Sequence, residues 1–406
     1  MSAPTAEALG LTVAAVLRVG LPEYTRTHRL PPQHWRALRA IQACRTPALG
    51  GHLYRCSQCE TPRFVPHSCR NRHCPTCQGA EGYAWLEDQR AALLPVPYFH
   101  LVFTLPHGLN PLIQQNQAVC YRLLFAAAAA TLLEFGRQQL QAQLGFTLVL
   151  HTWGRTLHDH YHVHGIVTGG GLRADGTWAG TPAHWLFPVR ALSAMFRGKF
   201  RAGLLELHRS GQLVFHGGAA ALARPVAFAA LVAAVTKQPW VVYAKRPFAG
   251  PATVLAYLSR YTHRVGLTNQ RLRALDVTAR TVSFAYKDYA DGARAKVMTL
   301  SCDEFIRRLC LHILPAYFVK LRHYGLLANR HRQACLAQAR AALPPPAAIP
   351  PAPPAAPADP EIPRDCPRIV RIATGRQTGS SSRFAPRYSA NTHGRRQPAS
   401  SHDRSR

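Results

Sequence analysis

Acidic side chains are scarce in this chain. Nineteen Asp and Glu stand against 49 Lys and Arg over 406 residues, for a formal charge of +30 and a pI near 10.7. A surplus of this size exceeds what solubility requires and points to a polyanionic partner, nucleic acid first. Compositional bias is the plain alternative, because Arg, Ala and Pro are heavily used along the whole chain, and it ranks below nucleic acid. Long apolar runs are also lacking. The most apolar internal run, residues 123–133, is rich in Ala, is closed by Arg122 and Glu134, and falls short of the roughly 20 residues that span a bilayer. No basic region precedes the apolar stretch at residues 9–21, which Arg18 interrupts, so no signal peptide is read. A disulfide scaffold is excluded in turn. Six of the 11 cysteines fall between Cys44 and Cys77 and the rest are scattered, and clustering of this kind favours metal. The expectation is a cytoplasmic protein with no membrane segment, long enough for two or three domains with a real core.

Hydrophobic periodicity divides the chain. Residues 1–40 read as helical, with Val13, Val16 and Leu17 and then Trp35, Leu38 and Ile41 as apolar positions. Residues 44–77 read as loops and short strands, followed by a helix at 81–94 that stops before Pro95 and Pro97. A strand at 99–104 and a long helix at 116–144 come next. Two strands, 146–152 and 162–168, follow as antiparallel neighbours, with Gly169-Gly-Gly171 ending the second. Helices at 189–208 and 224–236 lead to a strand at 240–244, and Pro251 suits the first turn of a helix carrying Tyr257 and Tyr261. Ser301-Cys-Asp-Glu304 is a capping-box pattern opening a helix with Phe305, Ile306 and Leu309 on its apolar side. Pro-Ala repeats at 344–363 and a Ser/Arg-rich end cannot bury a core, which predicts a disordered basic tail. The domains are therefore expected at 1–92, 93–335 and 336–406.

Cys56-Ser-Gln-Cys59 and Cys74-Pro-Thr-Cys77 are two CxxC knuckles separated by 14 residues, the spacing of a four-thiolate zinc site. Each knuckle converges two sulfurs, and the metal supplies folding energy that a small loop-rich module lacks. Cys69 and His73 are further candidate ligands, with Cys44 and His52 as nearby spares. Arg63, Arg70 and Arg72 around the knuckles are placed to meet phosphates or bases.

His162-Val163-His164 lies on a strand, where residues two apart share a face, so the two imidazoles project side by side with Ile166. Two histidines make half of a metal site, and His160, next on the same face, is a candidate third ligand. The remaining histidines between His151 and His164 are bystanders. Tyr257 and Tyr261 are four apart, so a helix presents both phenols on one face. Taken alone, such a pair usually half-buries in a core; the histidines raise the catalytic reading above that. Phenol, with a pKa of about 10, attacks poorly at neutral pH without help. A divalent ion, Mg²⁺ or Mn²⁺, would coordinate the scissile phosphate and offset the charge that develops. The product is a 5′-phosphotyrosine and a free 3′-hydroxyl, and two tyrosines allow two such linkages in turn. Lys245, Arg246, Arg260 and Arg264 are candidates to hold the backbone of a single strand.

These segments resemble those of the insertion-sequence-91 family, the two-tyrosine HUH transposases that move DNA by a rolling-circle mechanism. The resemblance covers residues 40–335. It is carried by Cys44-Arg-Thr-Pro-Ala-Leu-Gly-Gly-His52, Ser68-Cys-Arg-Asn-Arg-His-Cys-Pro-Thr-Cys77, Tyr98-Phe-His-Leu-Val-Phe-Thr-Leu-Pro-His107, the His162/His164 strand with its Gly run, and Tyr257-Leu-Ser-Arg-Tyr-Thr-His-Arg264. Asp303-Glu-Phe-Ile-Arg-Arg308 and Arg322-His-Tyr-Gly-Leu326 extend it. It implies an α+β fold: an N-terminal zinc-binding domain, then an HUH-endonuclease core with a five-stranded antiparallel sheet and flanking helices. It also implies cleavage of single-stranded DNA at the element's ends, with the target DNA as a second partner. Two departures stand out. Tyr161 replaces the Pro that often precedes the histidine pair, and a C-terminal cysteine pair of the family is represented only by Cys366.

Three rival readings remain. A rolling-circle replication initiator or relaxase shares the chemistry, although the N-terminal zinc module and the tyrosine spacing favour the transposase. A non-catalytic zinc-dependent DNA-binding relic predicts binding without a covalent product. A zinc hydrolase using His160, His162 and His164 leaves the tyrosine pair and the charge unexplained.

Overall fold

The strand that carries His162 and His164 becomes the centre of a sheet. The structure is a computed structural model, and it describes residues 10–56, 59, 61–78, 92–182, 186–245, 253–254, 265–343 and 369–375. In chain order the strands are β1 (Gly51–Cys56), β2 (Pro62–Pro66), β3 (Tyr98–Thr104), β4 (Gln143–Trp153), β5 (Asp159–Leu172), β6 (Trp178–Gly180), β7 (Val242–Ala244), β8 (Leu272–Asp276), β9 (Thr281–Asp288), β10 (Arg294–Ser301), β11 (Leu321–Gly325) and β12 (Ile369–Gly375). The helices are α1 (Val13–Thr27), α2 (Pro32–Ala43), α3 (Asn110–Gln115), α4 (Gln117–Phe135), α5 (Val189–Arg209), α6 (Pro225–Thr236), α7 (Cys302–Leu311) and α8 (Arg332–Ala341). The chain divides into a large unit, 1–42 with 70–356, and a small one, 43–69 with 357–406. The mixture of helices and antiparallel sheets is the expected α+β class. The tyrosine segment, Arg246, most of the helix read at 81–94 and the Pro-Ala repeats lie outside the described residues.

In the large unit an antiparallel sheet runs β11-β4-β5-β3-β7, with β6 added to the end of β5. Period-two alternation sorts its faces. Tyr161, Val163 and Val167 of β5, Phe99, Leu101 and Phe103 of β3, and Phe146, Leu148 and Leu150 of β4 bury on one face against Tyr121, Phe125 and Leu132 of α4 and Phe196 and Phe200 of α5. Burial of each large apolar side chain contributes about 2 kcal/mol, which fixes the register, because a one-residue slip would exchange the faces. The opposite face receives His162 and His164. Farther along that face Ile166 and Tyr98 pack with Leu336 and Ala339 of α8.

Three expectations change here. The Gly run does not end its strand: β5 continues through it to Leu172. A Cβ on Gly170 would stand 2.4 Å from the Ala179 carbonyl oxygen, and one on Gly171 would stand 2.6 Å from that of Gln143. Glycine there admits neighbouring backbones on both sides rather than turning the chain. The helix read at 116–144 leaves regular α geometry earlier. It passes into a π turn over Gly136–Leu140, and Gln141 then takes a left-handed φ of 51°, which frees Gln143 to pair with Leu172 at the start of β4. Its continuous length, Gln117–Leu140 at 24 residues, is enough to cross a membrane by length and composition, contrary to the short run read from the sequence. Tyr121, Leu124, Phe125, Ala128 and Leu132 of this helix are buried in the core instead.

A second antiparallel sheet, ordered β10-β9-β8, was not anticipated. Its signal is present in the sequence: Val282 and Phe284 alternate with more polar neighbours, and Asp291-Gly292 marks the hairpin. Gly292 takes φ 57° and Ala293 φ 63° at that turn. The capping box is as read, with Ser301 Oγ accepting the Glu304 N–H at 3.2 Å and Phe305 and Ile306 buried beneath.

In the small unit β1 and β2 form a hairpin whose link contains Cys59, and β12 pairs along the other edge of β1. That last pairing corrects the expected disorder of the whole tail. Ile369, Val370 and Ile372 are β-branched, and the free edge of a hairpin offers their backbone groups the partners that a Pro-rich stretch cannot use.

Candidate metal centre

The imidazoles of β5 meet a third from β4. His151 lies directly across the ladder from His162, and one ring nitrogen from each of His151, His162 and His164 lies within 4.8 Å of the others. All three residues are buried, at 3%, 8% and 9% exposure, so few waters compete for these nitrogens. The third imidazole brought to the pair is thus His151, which the sequence reading left among the bystanders, and not His160. The His160 ring turns to His107, with Nδ1 3.0 Å from Nε2. The missed signal was register: only the antiparallel pairing of β4 with β5 identifies which residue of β4 faces His162.

Hydrogen bonds orient the pair. His162 Nδ1 lies 2.9 Å from the His160 carbonyl oxygen, and His164 Nδ1 lies 2.9 Å from His100 Nε2 on β3. If both Nδ1–H groups donate, both Nε2 lone pairs face one point, and the two Nε2 atoms stand 3.1 Å apart. His100 can accept that bond because burial, and then the Lys245 charge, push its pKa down to about 4. A neutral imidazole fixed through its second nitrogen is the usual support of a metal-ligating histidine. Three such rings fit a divalent transition ion by donor type.

The group opens on a cleft of about 770 Å³, whose described lining includes His107, Asn110, Arg155, Asp159, Arg271 and Tyr289. Lys245 is exposed just after β7, with its backbone N–H bonded to the His100 carbonyl at 2.9 Å. It therefore sits beside the histidine group. Tyr257, Tyr261, Arg246, Arg260 and Arg264 lie outside the described residues.

Thiols are a second kind of candidate ligand. In the large unit Cys74 and Cys77, one knuckle of the expected set, are both buried; in the small unit Cys44 is buried and Cys69 half-buried. Cys59 is exposed, and the Cys56 side chain is outside the description. The turn before Cys74 is shaped by Asn71, whose side chain accepts the His73 N–H at 3.0 Å and whose carbonyl accepts the Cys74 N–H at 2.9 Å. His73 is half-buried. Burial first, then the Arg72 charge, push its pKa down to about 3. Arg72 donates to the main-chain carbonyls of Pro315 and Phe318, which engages its guanidinium inside the protein, whereas Arg70 is exposed.

Comparisons with known proteins agree on one kind. Residues 16–105 match the family described as "Transposase zinc-binding domain", and residues 145–334 match the family described as "Putative transposase". The chain is similar to "Putative transposase y4qJ" of Sinorhizobium fredii, at 46% identity over 82% of this chain and 84% of the relative. It is also similar to "Transposase for insertion sequence element IS801" of Pseudomonas savastanoi pv. phaseolicola, at 31% identity over 71% of this chain and 68% of the relative. No solved structure matches the chain.

Proposed function

The chain belongs to the insertion-sequence-91 family of transposases, and on that premise we propose that it nicks and rejoins single-stranded DNA at its element's ends through 5′-phosphotyrosine intermediates, by rolling-circle transposition. The observation that carries this reading is the convergence of His151, His162 and His164 beside an open cleft. In this proposal these three residues hold a divalent ion, Mn²⁺ or Mg²⁺. That ion, when bound, polarises a phosphoryl oxygen and offsets charge in the displacement. His100 and the His160 carbonyl hold the rings in the tautomer that leaves Nε2 free. Lys245 and Arg70 contribute positive charge to the DNA backbone, with Arg246, Arg260 and Arg264 assigned the same task.

The phenol oxygen of Tyr257 or Tyr261 attacks phosphorus as its proton passes to solvent or a base, the P–O3′ bond breaks, and the departing 3′ oxygen takes up a proton from solvent to become the new hydroxyl. The ester energy stays in the O–P bond to tyrosine, so a second 3′-hydroxyl reverses the step without ATP. The family's zinc-binding domain supports a structural Zn²⁺ held by cysteines of residues 44–77, the buried Cys74 and Cys77 among them. The work belongs in a bacterial cytoplasm, on the nucleoid.

The test is incubation of the full chain with labelled single strands of its own element's ends, with and without Mn²⁺ or Mg²⁺, followed by denaturing gel and mass spectrometry. An adduct on Tyr257 or Tyr261, lost when both are changed to Phe, is the expected result. Tight binding with no adduct would replace the proposal with a non-catalytic DNA-binding relic. Adducts formed only at a replication origin would favour the initiator.

A further inference from the structure

One wall of the cleft is built unlike the rest. Tyr289 stands at the tip of the β9–β10 hairpin, is 64% exposed, and lines the same cleft as His151, His162 and His164. The Arg155 guanidinium lies 4.3 Å from the ring centroid of Tyr289, and its Nη2 donates to the phenol oxygen at 2.5 Å. Arg155 belongs to the turn joining β4 to β5, the two strands that supply the three histidines.

The pair is held from both sides. Gly154 N–H bonds to the His158 carbonyl at 2.8 Å to close the β4–β5 turn. Arg271 donates from Nε to the Ala285 carbonyl at 2.8 Å and from Nη2 to the Arg155 carbonyl, tying that turn to the hairpin strand. At the tip, Lys296 binds Asp288 at 2.8 Å and Asp291 at 3.0 Å, so the hairpin's carboxylates are engaged with a cation and do not repel a polyanion as free charges would. Asp159, also in the cleft, accepts from Gln114 at 2.8 Å.

We propose that Tyr289, backed by Arg155, is a stacking platform for one unpaired base of the single strand lying across the histidine group. An aromatic face lowers the free energy of an unstacked base whatever its identity, and a guanidinium packed on the ring adds cation–π and phosphate attraction. A duplex keeps its bases stacked internally and has none to offer. The platform thus selects single strands and positions a nucleotide near the scissile bond. This inference rests on the reading of the cleft as the DNA-processing site, but not on tyrosine attack.

The experiment uses the full chain and a fluorescein-labelled unstructured single strand of about 20 nucleotides, with no added divalent ion, so that binding is measured without cleavage. Tyr289→Ala should weaken binding about tenfold or more, and Tyr289→Phe should stay within about twofold of the native protein because the stack survives. Walking one abasic site along the strand should reveal a position where loss of the base weakens native binding equally and adds nothing to Tyr289→Ala. Duplex binding should be unchanged by Tyr289→Ala. Equal losses on duplex and single strand, no abasic position with this non-additivity, or no single-strand binding by the native chain would each overturn the platform. Should Tyr289→Ala fail to fold, by circular dichroism, the Phe variant and the abasic walk on native protein decide alone. A platform confirmed here with no covalent adduct in the tyrosine assay would remove only the nuclease reading. An adduct together with unaltered binding by Tyr289→Ala would remove only the platform.

Discussion

His151 faces His162 across the β4–β5 ladder, and this single register relation turns a two-histidine motif into a three-nitrogen group. Replacement of His151 by Ala should therefore weaken metal-dependent nicking to the same degree as replacement of His162, by about 100-fold or more, while single-strand binding without metal changes little. Nicking rates across an Mn²⁺ titration would decide. A His151→Ala enzyme with native metal dependence would return the third-ligand role to another residue.

His100 touches no DNA in this reading, yet its Nε2 lies 2.9 Å from His164 Nδ1. Loss of such a support usually costs about 10- to 100-fold in metal affinity. His100→Ala should shift the Mn²⁺ dependence of nicking by that factor and leave the rate at saturating Mn²⁺ much closer to native. Gln, which can accept from His164, should recover part of the affinity. A fall in the saturated rate with no shift in metal dependence would count against the positioning role.

The thiols make opposite forecasts for two cysteines. Cys59 is exposed and Cys69 is half-buried, so Cys69→Ser should lose zinc and destabilise the N-terminal region, since a structural zinc site carries roughly 10 kcal/mol or more of folding energy. Cys59→Ser should retain the metal. Zinc content measured by mass spectrometry on the purified variants distinguishes them, and the reverse pattern would restore the paired-CxxC set.

Acid should weaken the fold through His312. This ring is buried with Nε2 3.0 Å from the Leu157 carbonyl and Nδ1 3.2 Å from Thr152 Oγ1, and burial pushes its pKa down to about 4. The unfolded chain takes up a proton near the ordinary value of about 6.5, before the folded state does. Stability from this group is thus full above that value and is lost as pH falls toward 4, by up to about 3 kcal/mol. Urea midpoints between about pH 7 and pH 5 should fall less steeply in His312→Gln than in the native chain. Parallel slopes would show that other groups carry the acid response.

Ser301 offers the simplest stability test. Its side chain satisfies the Glu304 N–H at the start of α7, and Ser301→Ala should cost about 1 kcal/mol in urea unfolding. Ser301→Asp should restore most of it, while an Ala variant as stable as the native protein would show that water replaces the cap.

Much of this was legible because local physics wrote it. The His162/His164 alternation, the capping box at Ser301 and the helix limits near Val189 and Pro225 depend on neighbours a few residues apart, and they stand where the pattern placed them. The Gly run misled because glycine signals both a turn and a close approach. Only the positions of Gln143 and Ala179 on either side of β5 distinguish the two. The strand at Ile369–Gly375 was hidden by its Pro-rich approach, and its partner lies about 320 residues away in the chain.

The charge, the cysteine clustering, the pairing of two histidines on one strand face and the family resemblance are all readable from the chain before it folds, since composition and short-range period need no partner. Long-range pairing and packing established that His151 and not His160 joins the histidine pair, that His100 supports it, that Cys74 and Cys77 are buried while Cys59 is exposed, and that Tyr289 stands against Arg155 in the histidine cleft. Those relations depend on strand register and on loops brought together from distant parts of the chain, and packing of the buried face of the sheet is what fixes them.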